Sequence, residues 1–148
     1  MRKRLILSII FLLYWAFLIK VMVFKDIPTI RVGHLMLNFG GTETGRPANF
    51  IPFKTIAPYF LGDKGLIIAG INLVGNIALL IPLGIIFPFV YQRVTWKKAI
   101  GLAVISGLAI EGMQVLFNVG IFDIDDVILN AIGVVIGYWI FTLLTNYI

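Results

Sequence analysis

Four long apolar stretches dominate the chain, and most polar side chains fall between them or at their ends. Residues 5–24 are apolar except for Ser8 and Lys20. Residues 66–91, 99–117 and 126–147 are similar, each broken by a few polar or small side chains. Crossing the hydrocarbon core of a bilayer takes about 20 apolar residues in a helix. The pattern predicts an all-α, polytopic membrane protein with four transmembrane helices in a compact bundle. Pro82 and Pro88 fall in the later half of the second stretch. Each removes a backbone donor, so a kink near residues 78–82 is expected.

The connections differ in character. Residues 92–98 are short and basic, and residues 118–125 are short and acidic. Residues 25–65 form the one long connection. GGTETGRP at 40–47 is rich in turn residues and reads as flexible. Beyond it, NFIPFKTIAPYFL at 49–61 is apolar and aromatic but interrupted by Pro52 and Pro58. It reads as an interfacial or re-entrant segment between helices 1 and 2, or equally as a loop packed over the helix ends. No small-x-small cleavage pattern follows the first stretch, so it reads as a retained anchor. The chain shows no internal repeat.

Composition places the chain in the membrane class. Hydrophobic residues make up 60% of its 148 residues and charged ones 13%, with a mean hydropathy of +1.03. A soluble domain of this size needs far more polar surface. There is no cysteine, which excludes disulfides, thiolate metal sites and a cysteine nucleophile. His34 is the single histidine, so no site can draw two from one chain. The net charge of +5 comes from scattered basic residues beside apolar spans, which fits anionic lipid headgroups and not nucleic acid. Six of the twelve Lys/Arg lie in two very short segments, at Arg2, Lys3, Arg4, Arg93, Lys97 and Lys98. Basic residues flanking spans stay on the cytoplasmic side, so both termini are expected inside and residues 118–125 outside.

Four of the seven acidic residues, Glu111, Asp123, Asp125 and Asp126, fall between positions 106 and 130. Helical spacing puts Ala103, Gly107, Glu111 and Gln114 on one face, and Asp126, Asn130, Gly133 and Gly137 on another. Asn72, Gly75 and Asn76 share a third. Small residues let membrane helices approach, and polar side chains on the same stripes must face the bundle interior. A polar intramembrane site is expected where these faces meet. Each feature also has a plainer reading. Span asparagines often only hydrogen-bond a neighbouring helix, worth about 0.6 kcal/mol. Asp123 and Asp125 read equally well as helix caps or as ligands. Glu111 stands apart, because a carboxylate costs about 2.5–3.5 kcal/mol at mid-span and less near the interface, and glutamine would serve structure more cheaply.

Motif chemistry excludes more than it assigns. Glu111-x-x-Gln114 is not the Glu-x-x-His di-iron pair, and Asp123-x-Asp125-Asp126 is no EF-hand. No cofactor is indicated. A divalent cation such as Mg²⁺ or Ca²⁺ held by oxygens of the Asp cluster is compatible with these residues. If the chain is an enzyme, Glu111 and Asp126 are the candidate acid and base.

Several separated blocks resemble the VanZ-like family. They are Asn72-Leu-Val-Gly-Asn76 running on to Pro82-Leu-Gly84, then Ser106 with Glu111 and Gln114. Asp123-Ile-Asp125-Asp126 follows, with Asn130, Gly133, Gly137 and Tyr138, and upstream lies Arg46-Pro-Ala-Asn49-Phe-Ile-Pro52-Phe53. The resemblance covers about 46–138. It implies a bacterial cytoplasmic-membrane protein of the cell envelope, associated with low-level resistance to teicoplanin-type lipoglycopeptides. Ile121 follows Gly120 where many members carry arginine, so if that arginine contacts an anion, this chain uses Arg46 or another residue or lacks the contact. The resulting expectation is an outward polar pocket for the antibiotic or a lipid-linked cell-wall precursor. Arg46, Asn49, Asn72, Asn76, Gln114, Asp123, Asp125 and Asn130 are its candidate binding residues. The alternative is a hydrolase or transferase acting on a lipid-linked envelope substrate. Membrane lipids are the other expected partner, and the oligomeric state is open.

Overall fold

The computed structural model describes residues 2–24, 30–32, 35–37, 47–60, 66–91 and 93–146. Helix α1 spans Arg2–Leu18 and runs on through a π-helical turn, Ile19–Val23. Two short strands follow, β1 at Ile30–Val32 and β2 at Leu35–Leu37, paired antiparallel with Ile30 opposite Leu37. A one-turn helix α2 covers Ala57–Phe60. Three long helices complete the chain: α3 at Leu66–Val90, α4 at Trp96–Leu116 and α5 at Ile124–Asn146. Among the described residues, four helices are long and apolar enough to cross a membrane, through Arg2–Val23, Leu73–Val90, Trp96–Leu116 and Ile124–Thr145. The protein is a multi-pass helical membrane protein, as its hydropathy pattern predicts. The β1–β2 ribbon was not expected. The turn-rich stretch at 40–46 lies outside the described residues.

The helix ends follow local chemistry. Helix α4 starts three residues before the apolar stretch because Thr95, in an extended conformation, caps it and accepts the Lys98 N–H. Helix α3 is continuous through Pro82 and Pro88. At the end of α1 the Phe24 N–H reaches back five residues to the Ile19 carbonyl, at 3.3 Å.

Helix α5 is the centre of the bundle and packs on both α3 and α4. A Cβ added at Gly133 would overlap the Ile77 carbonyl oxygen and lie 2.8 Å from the Leu80 Cβ. One added at Gly137 would overlap the Ile81 carbonyl oxygen. Contacts that advance together by four residues make α3 and α5 parallel, with backbones touching along a glycine seam. Against α4 the order reverses, since Gly107 faces Val127 and Glu111 faces Asp123. Helix α1 lies on α3, fixed by the Tyr14 hydroxyl, which donates to the Leu79 carbonyl at 2.6 Å. Leu18, Leu80, Leu83, Ile110 and Val134 are fully buried between the helices. Large apolar side chains such as Leu5, Leu12, Leu13, Ile105, Leu116 and Trp139 point outward instead. An apolar exterior over the whole bundle requires lipid as its solvent.

Candidate functional site at the α4–α5 turn

Asp123 opens α5, and its side chain and backbone serve different neighbours. Its Oδ1 accepts the Asp125 N–H at 2.9 Å and its carbonyl accepts the Val127 N–H at 3.3 Å. This is the capping role that its place before an apolar helix suggests. Its own N–H donates to Glu111 Oε2 at 2.9 Å. Glu111 is almost fully buried, at 1% exposure, so a carboxylate from the last third of α4 holds the backbone that enters α5.

The upstream segment 49–56 is stitched to the same turn. The Asn49 N–H donates to the Phe122 carbonyl at 2.8 Å, and the Ile124 N–H donates to the Asn49 carbonyl at 3.0 Å, a parallel bridge. Asn49 Nδ2 donates to Asp123 Oδ1 at 2.9 Å and to Thr55 Oγ1 at 3.1 Å, while its Oδ1 accepts the Ile51 N–H. The Thr55 hydroxyl donates to Asp123 Oδ2 at 2.6 Å. Asp125 does not cap its own helix. Its carboxylate accepts the backbone N–H groups of Phe53, Thr55 and Ile56, the last two at 2.7 and 3.2 Å. Phe53 takes a left-handed backbone with φ 67° to present its N–H there. A bulky residue seldom adopts that region, and three charge-assisted hydrogen bonds offset the strain. Asp123 and Asp125 thus satisfy backbone and side-chain donors of the segment that crosses above them.

A second polar group lies along α5, away from that turn. Asn76 on α3 donates through Nδ2 to Asp126 Oδ1 at 2.9 Å. One turn further along the same face is Asn130, with no exposure, whose Nδ2 and Oδ1 have no hydrogen-bond partner among the described residues. It lies between Asp126 and Gly133, on the face turned to α3. Seven residues separate it from Asp123, about 10 Å of helix rise. Glu111, level with Asp123, is therefore not at the depth of Asn130.

The other candidates divide. Gln114 points away from this group, and its Nε2 donates to the Met22 carbonyl at 2.8 Å, closing the π-helical end of α1. Ser106 is buried and donates to the Leu102 carbonyl of its own helix. Arg46 and the side chain of Asn72 lie outside the described residues. Among the described residues no three His, Cys, Asp or Glu side chains are placed to hold one metal ion. Sequence reasoning missed Thr55. Its signal was present, as one of only three polar residues, with Asn49 and Lys54, in the apolar run at 49–61.

The comparisons bear on the whole arrangement. No curated protein and no solved structure matches the chain. A family model described as VanZ/LLP1 matches residues 11–145, a stretch that contains nearly all of the four spanning helices, the segment at 49–56 and every polar residue of the two clusters. The chain belongs to the VanZ/LLP1 family.

Proposed function

We propose that this VanZ-like membrane protein binds a lipid-tailed glycopeptide, or the lipid-linked cell-wall precursor such an antibiotic targets, at the group formed by Asn76, Asp126 and Asn130. Its place is the bacterial cytoplasmic membrane. The basic residues at Arg2–Arg4 and at 93–98 favour cytoplasmic termini and an outward α4–α5 turn. The family's link with teicoplanin resistance supplies the ligand class.

The observation that carries this reading is the Asn130 amide. Leaving a buried donor and acceptor unmade costs about 1–3 kcal/mol for each group, and an apolar side chain of the same branched outline would avoid the loss. An amide kept there, beside a carboxylate, suits a ligand that brings its own donors and acceptors. The site lies roughly 9 Å below the start of α5, within the leaflet where a lipid-anchored molecule resides. Access requires the outer ends of α3 and α5 to part. There the helices are joined by the Asn76–Asp126 hydrogen bond, whereas further along glycine seats one backbone on the other. Asp123 and Asp125 keep the turn and the overlying segment in register with this opening.

The test is mass spectrometry of molecules retained by gently purified protein. Wild type is expected to carry a lipid-linked sugar–peptide that Asn130→Leu lacks. Identical bulk phospholipid on both would refute the reading. Release of product from added lipid-linked precursor would instead favour the enzyme, with Glu111 and Asp126 as its acid and base.

A further inference from the structure

The segment at 49–56 exposes Phe50, Ile51 and Phe53 at 69%, 62% and 62%. Such exposure in a loop usually accompanies freedom to move, yet here the backbone is fixed at both ends. Asn49 is bridged to residues 122–124, and Asp125 takes the N–H groups of Phe53, Thr55 and Ile56. The Phe50 ring stacks on Phe122, with centroids 5.1 Å apart. Because its anchors are residues 122–125, the segment sits at the level where α4 ends and α5 begins.

We propose that Phe50, Ile51 and Phe53 form a rigid wedge seated in the bilayer, at the headgroup–acyl boundary of the leaflet that meets the α4–α5 turn. Two observations select lipid as the occupant. The exposed apolar side chains lie at the same end of the bundle as exposed Val115, Leu116 and Phe117, the last residues of a membrane-spanning helix. Lys54 is exposed beside the wedge, and its ammonium is complementary to lipid phosphate. Apolar side chains next to a basic one form the usual surface of a segment lying in the interface. A clamped backbone sets the depth of insertion, so the wedge fixes the height of the segment above Asp126 and Asn130. This inference rests on the multi-pass fold alone and holds whichever ligand the polar group takes.

The chain has no cysteine, so one label can be placed at a time. Phe50→Cys and Ile51→Cys, each carrying an environment-sensitive nitrobenzoxadiazole dye, would be reconstituted in phosphatidylcholine–phosphatidylglycerol vesicles. Ala48→Cys, exposed just upstream, is the comparison. Labels at 50 and 51 are expected to emit at shorter wavelength than the one at 48. They should be quenched more by lipids with a nitroxide high on the acyl chain than by lipids with one near its end. Position 51 makes no ring contact, so its label reads the wedge without disturbing the Phe50–Phe122 stack. Emission at 51 as red as at 48, with no quenching by either lipid, would place the segment in water and overturn the proposal. Disulfide-linked dimers through position 51 would also overturn it, by showing a second copy on this surface.

Discussion

The backbone N–H of Thr55 donates to Asp125 Oδ2 at 2.7 Å, although 70 residues separate the two. This bond and its two neighbours join the long connection to the start of α5, with the carboxylate fully buried. Hydrogen bonds to a charged group are worth about 1.5–3 kcal/mol each, and three that share one carboxylate are not additive. Asp125→Ala should therefore lower stability by about 3 kcal/mol. Thermal unfolding in detergent should show an earlier midpoint, and proteolysis should reach the segment at 49–56 first. An unchanged midpoint with the segment still protected would remove Asp125 from this role.

The contact of α3 with α5 depends on glycine at Gly133 and Gly137. Gly133→Leu would drive a side chain into the Ile77 carbonyl and Leu80. The helices must separate, at a loss of about 1–3 kcal/mol or more. Gly112, on the exposed face of α4, has nothing within 4 Å of an added Cβ. Gly112→Ala should leave stability unchanged or raise it by roughly 0.5–1 kcal/mol. Equal unfolding midpoints for the two variants would show that the seam is not close-packed.

Orientation is read out by thiol labelling on intact cells. Ala48→Cys, beside the segment at the α4–α5 turn, should react with an impermeant maleimide. Thr95→Cys, in the basic connection before α4, should react only after the membrane is opened. The reverse pattern would put the polar group in the cytoplasmic leaflet and remove the cell-wall reading.

The four spans were legible because solvent imposes them. Lipid demands about 20 apolar residues per helix, and that constraint is written along the chain. The glycine stripe of α5 was legible too, because helical periodicity places Gly133 and Gly137 on one face. Asp123 could be read as a cap from its position alone. The partners of Asp125 could not, since its three donors are backbone N–H groups, which carry no side-chain identity. Gln114 shared a face with Glu111 by spacing, yet it reaches the Met22 carbonyl because the π-helical end of α1 lies against that part of α4. Asn76 shared a face with Asn72 and Gly75, and the offset between parallel α3 and α5 makes it the residue that reaches Asp126. Offsets between helices are set by packing and do not show in any one helix.

Asn130 gives the most direct test of the binding site. Asn130→Leu keeps the branched outline of the side chain with bulkier methyl groups and removes an amide that has no hydrogen-bond partner among the described residues, so the polar group removed should offset the tighter packing and leave stability close to wild type. Wild type and variant would be expressed in a susceptible Gram-positive host, with matched membrane levels, and growth scored against teicoplanin and vancomycin. Wild type should raise tolerance to teicoplanin, whose lipid tail places it in the outer leaflet, more than tolerance to vancomycin. Asn130→Leu should accumulate normally and lose that protection. A variant that protects as well as wild type would contradict a ligand site at Asn130.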